Sequence, residues 1–524
     1  MNSAVREAAR LGRGATYLYL QTLLTILLTT LLFVVMVWKL TPQDFGAFAA
    51  ISVIYMLFQC FTSIGVHVGV VRFVAEHCAR GEPDLARAYA STAINIVLIT
   101  IAVGLCTVIL LSHVIVSFTR LYGYEYLLPP LLASLLFSTP MQLGYGLVQS
   151  LQDFSHLAVY RLTDQVLRKL IGISLLLLGY GILGVLVGWI VGDGTAALLS
   201  ILHAVRRLGY EATFSHVRAL LAFSLPAYGA RILTSLTIFL DRILLWLFIP
   251  AWMTASLVRA EVGIYTVMAT AAGFIIDLFS TPFFFAFYAG FAQEWGAAGL
   301  ESVTGVFHYG SRYTLAVAIP AALLPTVIAP PAVTSLLPSY SRGAFALVIL
   351  LLAIAAAALL ALSTSALYAL GRSLDVLIAT GVGVLCYFIT GAILVPTSLM
   401  NGAAIARFVG YIVSALAAAL LLHRHRAFAL DSGGTLRCLV AALVATILSL
   451  GIVQVTALFT ISGLLTNLLV YGFITMSGLL LYLVILSLVG FFKPEDIEFL
   501  QAYLPKRVAP FTIRILRLLV KQRK

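Results

Sequence analysis

Long runs of apolar residues, separated by short polar stretches, repeat along the whole chain. Each run is near the length of about 20 residues that an α-helix needs to cross the hydrocarbon core of a bilayer. The pattern therefore predicts about 14 membrane-spanning helices. The predicted segments are 16–38, 46–71, 91–112, 127–149, 166–180, 181–205, 223–249, 262–286, 306–329, 343–370, 375–395, 402–422, 436–458 and 464–490.

Composition agrees with this pattern. Of the 524 residues, 62% are hydrophobic and only 10% are charged, far from the usage of soluble globular proteins. No small-residue cleavage site follows the first apolar run, so we expect a retained helix and not a signal peptide. The connections between runs are short and leave no room for a catalytic ectodomain. The sequence predicts an all-α polytopic membrane protein.

The net charge of +12 has an ordinary explanation in such a protein. If the N-terminus is cytoplasmic, about 25 of the 32 Lys and Arg residues fall in the termini and cytoplasmic loops. The loop 289–303 is the exception, because it carries no Lys or Arg. We therefore expect a protein of the cell (cytoplasmic) membrane with both termini in the cytoplasm. No basic soluble surface exists for nucleic acid.

The seventh segment carries an unusual set of polar residues. Arg231, Asp241 and Arg242 share one helical face with Thr234 and Ser235. Ionisable groups at membrane depth are costly and usually face a protein interior or a water-filled cavity. Two structural alternatives remain, since Asp241 could neutralise a neighbouring Arg and Arg242 could extend to the outer interface.

Two short stretches indicate an internal repeat. Residues 44–48 (Asp-Phe-Gly-Ala-Phe) follow the first segment, and residues 261–265 (Glu-Val-Gly-Ile-Tyr) follow the seventh. Six segments separate the copies, so both have the same orientation, as in transporters built from parallel repeats. We predict two pseudo-equivalent six-helix lobes around a central cavity, plus two extra C-terminal helices. The predicted boundaries are 1–210 (first lobe), 211–428 (second lobe), 429–492 (additional helices) and 493–524 (basic amphipathic cytoplasmic tail).

Other polar positions could face such a cavity. Ser52, Tyr55 and Gln59 form a stripe on segment two, and Arg72 ends it on the cytoplasmic side. Small polar residues also simply help membrane helices to pack. Asp277, in segment eight, needs a partner or a proton at depth, so it is either an ion-pair member or a protonatable coupling site. We interpret Asp153, Arg161, Asp164, Arg168 and Lys169 as interface anchors rather than head-group contacts.

Several of these stretches resemble one known family, the oligosaccharide/polysaccharide lipid flippases of the multidrug/oligosaccharidyl-lipid/polysaccharide exporter superfamily. The resemblance covers most of residues 1–425, with order and spacing intact. One departure is segment eleven, which has Cys386 and Thr390 where relatives often carry Asn. The similar stretches are residues 40–46, 71–75, Phe223-Ser224-Leu225-Pro226, Asp241-Arg242-Ile243, Gly263-Ile264-Tyr265, Val395-Pro396 and residues 401–406.

The resemblance implies a flippase that carries a polyprenyl-phosphate- or pyrophosphate-linked oligosaccharide from the inner to the outer leaflet by alternating access. We expect Arg231 to bind the phosphate, with Arg72 and Arg242 as inner and outer steps. Ser52, Tyr55, Gln59 and Ser235 would bind sugar. We expect no cofactor and no metal, a monomer among membrane lipids, and glycan-assembly enzymes as further partners. No Gly-rich ATP-binding loop is present, so an ion gradient, the membrane potential or product removal would supply energy.

Three rival functions remain. A cation-coupled multidrug exporter of the same superfamily should favour acidic and aromatic residues in its cleft, whereas this cleft is predicted to be rich in Arg. A membrane glycosyltransferase or polymerase usually needs a large outer loop with catalytic acids, and the outer loops here are short. A scramblase-like protein or scaffold would differ by its lack of energy coupling.

Overall fold

The computed structural model describes residues 21–22, 24–457 and 463–492. These residues form a multi-pass, all-helical protein, which confirms the predicted all-α polytopic class; the count of about 14 spans and the two six-helix lobes remain predictions. By length and composition, ten of the described helices are long and apolar enough to cross a membrane. The helices are α1 (Leu24–Lys39), α2 (Pro42–Ser63), α3 (Val66–Arg80), α4 (Pro83–Leu110), α5 (Ser112–Thr119), α6 (Leu128–Ser150), α7 (Phe154–Leu177), α8 (Gly181–Leu208), α9 (Val217–Phe248), α10 (Ala255–Ala298), α11 (Leu300–Leu336), α12 (Ala344–Ala369), α13 (Ser373–Arg424), α14 (Ser432–Ala457) and α15 (Leu464–Leu488). Short 3₁₀ turns at Glu125–Leu127 and Pro338–Gly343 precede α6 and α12.

The predicted second segment, 46–71, is not one helix. It breaks between α2 and α3, where Ile64 (φ 41°) and Gly65 (φ 71°) adopt left-handed backbone conformations. A Cβ on Gly65 would lie 2.7 Å from the Tyr228 Cβ atom of α9, so α9 packs directly against the break. The Tyr228 hydroxyl donates a hydrogen bond to the Cys60 carbonyl (2.7 Å), a group that the end of α2 leaves without a helical partner.

The predicted eleventh and twelfth segments both lie in α13. The helix is interrupted at Leu399, whose backbone (φ 49°, ψ −126°) is not helical. Pro396 lies just before this point and cannot donate the backbone hydrogen bond of a regular helix. The chain therefore changes direction where the sequence predicted the boundary between two segments.

By its internal contacts, the chain divides into two compact units, residues 1–266 and 267–524. In the first unit, apolar side chains of α3, α4, α6 and α9 form one core, exemplified by Val70, Ala93, Leu147 and Leu220. The predicted lobe boundary between residues 210 and 211 remains a prediction.

The second unit contains two apolar cores. One joins α11, α12 and α13 through side chains such as Phe307 and Leu362. The other joins α11 to the two additional C-terminal helices, where Leu315 packs with Cys438 of α14 and Tyr482 of α15. The Tyr482 hydroxyl donates to the Ala316 carbonyl at 2.7 Å. The predicted extra helices thus pack on α11.

The two copies of the predicted repeat contact each other at the starts of α2 and α10. A Cβ on Gly46 would overlap the carbonyl of Arg259, and a Cβ on Gly263 would overlap the carbonyl of Pro42. Each glycine therefore faces the carbonyl four residues before the other glycine. Such a reciprocal contact is the arrangement expected of equivalent elements, and only residues without a side chain allow it.

Polar contacts hold the same region together. Thr41 caps α2 in a reciprocal capping box with Asp44, and Pro42 occupies the first turn. Asp44 also accepts a hydrogen bond from the Tyr124 hydroxyl at 2.6 Å. Burial and this hydrogen bond raise the pKa of Tyr124 well above its ordinary value. The Arg259 guanidinium stacks on the Tyr124 ring, 5.0 Å from its centre.

We predict that Gly263→Ala destabilises the protein. Its methyl group would overlap a backbone carbonyl that cannot rotate away, and overpacking of this kind costs about 1–3 kcal/mol. Thermal unfolding of the detergent-solubilised protein measures the effect.

Gly273→Ala is the matched control, because Gly273 lies in the same helix and its added Cβ would meet no atom within 4 Å. This variant should unfold at or above the wild-type temperature, since Ala favours a helix over Gly. Equal melting temperatures for the Gly263 variant and wild type would contradict the close contact.

Candidate functional site

A cavity of about 460 Å³ lies in the first unit. Four helices build its wall: α3, α6, α7 and α9. A Cβ on Gly146 of α6 would lie 2.8 Å from the His67 carbonyl of α3, so these two helices approach closely beside the cavity. The lining residues are His67, Val68, Val71, Arg72, Gln142, Tyr145, Gly146, Gln149, Arg161 and Phe223.

Aromatic rings position the two cationic side chains of the cavity. The Arg72 guanidinium lies 4.4 Å from the centre of the Phe223 ring, and the Arg161 guanidinium lies 5.4 Å from that of Tyr145. The face of an aromatic ring attracts a cation without neutralising its charge. Both guanidinium groups thus keep their hydrogen-bond donors for another partner.

The two cations of the cavity lack an acidic partner among the described residues. No described carboxylate pairs with Arg72 or Arg161. Arg80, in contrast, lies two turns further along α3 and pairs with Glu76 at 2.6 Å. Unpaired positive charge beside a cavity favours an anionic ligand, and Arg binds phosphate or carboxylate bidentately.

The uncharged polar residues of the cavity suit a hydroxyl-rich ligand. Gln142, Tyr145 and Gln149 lie on one face of α6, at positions i, i+3 and i+7. Amide and phenol groups both donate and accept hydrogen bonds, as sugar hydroxyls require. These three residues were not predicted from the sequence, although their helical spacing within a predicted segment is a signal that could have identified them.

The sequence led us to interpret Arg161 as an interface anchor. In the structure it lies on the cavity wall instead. Arg168, from the same polar stretch, pairs with buried Asp193 of α8 at 2.8 Å and lies 4.3 Å from the Trp189 ring centre. Asp193 was not identified from the sequence, although it is the one carboxylate in an otherwise apolar predicted segment.

Tyr55, predicted to bind sugar, belongs to this buried cluster. Its hydroxyl donates a hydrogen bond to Asp193, and its ring lies 5.3 Å from the Arg168 guanidinium. Ser52 donates to the Phe48 carbonyl of its own helix at 2.8 Å. Neither residue lines the cavity.

The structure places the remaining predicted ligands as follows. Gln59 and Ser235 are half-buried, in α2 and α9. Arg231 falls within the bounds of α9, but its side chain lies outside what the structure describes. Of the predicted substrate-binding residues with described side chains, only Arg72 lines the cavity. The predicted tail, residues 493–524, also lies outside the described part.

Asp241 and Arg242 are both buried in the first unit. Asp241 accepts hydrogen bonds from the Tyr265 hydroxyl (2.9 Å) and from the backbone N–H of Arg242 (2.8 Å). The Arg242 guanidinium donates to the Ile238 carbonyl at 3.3 Å and to the Thr266 hydroxyl at 3.4 Å. These bonds join α9 to the start of α10, where the second copy of the repeat lies.

Asp277 lies in the second unit and is exposed. The positive charge of buried Arg407 acts on it electrostatically. The Arg407 guanidinium lies 5.9 Å from the Tyr411 ring centre. The two alternatives for Asp277, an ion-pair member or a coupling site, therefore both remain open.

Comparison with known proteins gives a family match and a fold match. A family model described as polysaccharide biosynthesis protein matches residues 11–289, which is more than half of the chain. No curated protein matches by sequence.

Among solved structures, the lipid II flippase MurJ in an inward closed conformation has a TM-score of 0.74 at 14% identity, over 90% of this chain and 98% of that one. An inward-facing multidrug resistance transporter of the MATE family has a TM-score of 0.61 at 18% identity, over 77% of this chain and 94% of that one. An outward-facing member of the MATE family has a TM-score of 0.53 at 16% identity, over 79% of this chain and 95% of that one. At sequence identities this low, the structural similarity shows only that the fold is shared.

We predict that Tyr55→Phe lowers stability more than Ser52→Ala does. Removal of the phenol leaves a buried Asp193 oxygen without its donor, which costs about 1–3 kcal/mol. The Ser52 hydroxyl only adds a second bond to a carbonyl of its own helix, so its loss should change the melting temperature little. Thermal unfolding in detergent compares the two.

A Tyr55→Phe variant that unfolds like wild type but transports poorly would contradict the structural role. That result would return Tyr55 to the predicted set of sugar ligands.

Proposed function

The chain belongs to the polysaccharide biosynthesis protein family, and from this premise we propose that this membrane transporter is a flippase for a polyprenyl-phosphate- or pyrophosphate-linked oligosaccharide. The carrier would move from the inner to the outer leaflet. A sugar head group with a phosphate cannot cross hydrocarbon unaided, because desolvating unpaired charge and hydroxyls is too costly. The protein must supply groups that replace their water.

The observation that carries the proposal is the pair of unneutralised guanidinium groups on one cavity. Arg72 projects from α3 and Arg161 from α7, so the cations come from separate walls. A phosphate or pyrophosphate between them would accept charge-assisted hydrogen bonds from both, which are about twice as strong as neutral ones. Gln142 and Gln149 would then bind the adjoining sugar.

The size of the cavity fits one part of such a substrate. Ligand cavities typically measure about 300–1,000 Å³, and this one, at about 460 Å³, lies within that range. It has room for a phosphate and the adjoining sugar, while the polyprenyl chain stays in the bilayer.

The position of the cavity also fits loading from the cytoplasmic leaflet. In the predicted orientation, Arg72 and Phe223 lie at the cytoplasmic ends of the second and seventh segments. The reciprocal glycine contact between α2 and α10 lies at the outer ends of the second and eighth segments. Opening of that contact and closure around the cavity would give alternating access between the two predicted lobes.

The predicted roles of the other residues remain part of this proposal. Arg231 would take the phosphate after Arg72 and Arg161, and Arg242 would act nearer the outer side. Asp241 and Asp277 remain candidates for energy coupling or ion pairing. The protein would act in the cell membrane as a monomer, next to the enzymes that assemble the glycan.

A cation-coupled multidrug exporter is the second candidate, because the MATE fold is also similar. Cationic drugs would meet like charge in a cavity that contains Arg72 and Arg161. The family membership and the sign of this charge both favour the lipid-linked glycan.

We predict that Arg72→Ala and Arg161→Ala each reduce flipping at least about tenfold, since hydrogen bonds to charged groups contribute about 1.5–3 kcal/mol. The assay uses proteoliposomes that contain a fluorescent polyprenyl-pyrophosphate oligosaccharide. A membrane-impermeant quencher reports the fraction that has reached the outer leaflet.

Arg80→Ala is the matched control, because Arg80 lies on the same helix but pairs with Glu76 outside the cavity. It should flip like wild type. Wild-type flipping by the Arg72→Ala, Arg161→Ala double variant would overturn the role of the cavity. Active transport of a cationic drug by the same liposomes, without flipping, would favour the exporter.

We also predict that Arg231→Ala abolishes flipping while membrane-inserted protein remains at wild-type levels. The reason is that a phosphate in transit needs a cation beyond the loading cavity. Flipping rates normalised to the reconstituted protein test this point. Full activity would remove Arg231 from the transport path.

A further inference from the structure

A cluster of three metal-ligating side chains lies where α6, α7 and α8 meet. Asp153 precedes α7, His156 lies in its first turn, and His203 lies near the end of α8. One ligand atom of each lies within 4.8 Å of the other two. None of the three lines the cavity or enters the proposed transport cycle.

The carboxylate of Asp153 is oriented by its role as the N-cap of α7. Its Oδ1 atom accepts hydrogen bonds from the Ser155 hydroxyl (2.9 Å) and the His156 backbone N–H (3.3 Å). Its Oδ2 atom lies 2.8 Å from His156 Nδ1 and 3.6 Å from His203 Nε2.

The imidazole of His203 is also oriented toward the same point. Its Nδ1 atom lies 3.0 Å from the Tyr160 hydroxyl. When Nδ1–H donates to that oxygen, Nε2 carries a free lone pair. This Nε2 atom is buried without a hydrogen-bond partner, because the Asp153 oxygen at 3.6 Å is too far. Buried polar atoms normally have a partner, so this lone pair is available to a ligand.

We propose that Asp153 Oδ2, His156 Nδ1 and His203 Nε2 bind a divalent transition-metal ion of the Zn²⁺ class. Two imidazoles and one carboxylate favour such an ion over Mg²⁺ or Ca²⁺, which prefer oxygen ligands. Bonds of about 2.0–2.2 Å place tetrahedral ligands roughly 3.4 Å apart. The observed separations of 2.8 and 3.6 Å therefore need only small side-chain rotations.

The ion would serve as a structural support for the cavity. It would fix the α6–α7 connection and the first turn of α7 to the end of α8. Arg161 follows His156 by little more than one turn of α7, so the ion would hold the helix that presents this cation. Water would occupy the remaining coordination position.

The test is Zn²⁺ titration of tag-free, chelator-treated protein in detergent, with bound metal measured after gel filtration. We expect stoichiometric binding by wild type and its loss in both His156→Gln and His203→Gln. Tyr160→Phe should weaken binding about 10- to 100-fold, since it removes the group that orients His203. Zn²⁺ should raise the melting temperature of wild type and leave that of His203→Gln unchanged.

His425→Gln is the matched control, because His425 pairs with Asp375 at 2.7 Å outside any described three-ligand group. It should bind Zn²⁺ like wild type. Absence of stoichiometric binding by wild type, or retention by both His156→Gln and His203→Gln, would overturn the proposal. A thiolate absorption band on Co²⁺ substitution would assign the ion to cysteines and would also overturn it.

Discussion

A positive charge without a carboxylate partner is the constraint on which the rest of this structure depends. In a chain this apolar, a buried cation is stable only when it is paired, solvated by polar groups or bound to a ligand. Arg168 is paired with Asp193, and Arg312 stacks on Phe491 and lies 3.5 Å from Asp431. Arg72, by contrast, is exposed and Arg161 is half-buried; within the described part of the chain neither pairs with a carboxylate, and both line a cavity that also contains the Gln142 and Gln149 amides.

In the predicted orientation, two features of the first unit lie toward opposite sides of the membrane. Its cavity lies among the predicted cytoplasmic ends of α3, α6 and α9, and the reciprocal contact of Gly46 and Gly263 lies at the opposite ends of α2 and α10. The contact of the two glycines depends on shape, and the hydrogen bond from the Tyr124 hydroxyl to Asp44 supports it nearby.

The sequence predicted the helices because spanning length and apolar composition are local properties. The repeat and its two lobes remain predictions, although the two glycines of the repeat meet in the structure. The sequence did not predict the break at Gly65, because the reason lies in the approach of Tyr228, far along the chain. The partner of Tyr55 is Asp193, 138 residues away, so a residue that looked like a cavity ligand is part of a buried ion cluster. Both the break at Gly65 and the role of Tyr55 therefore depend on contacts between residues that are far apart in the sequence.

The central claim is that the guanidinium groups of Arg72 and Arg161 replace water around a phosphate. An experimental structure of the protein with a bound polyprenyl-pyrophosphate sugar, in an inward-open state, tests it most directly. The account predicts pyrophosphate oxygens within hydrogen-bond distance of both guanidinium groups, with the sugar against Gln142 and Gln149. A pyrophosphate bound elsewhere, with both cations solvated only by water, would contradict the claim.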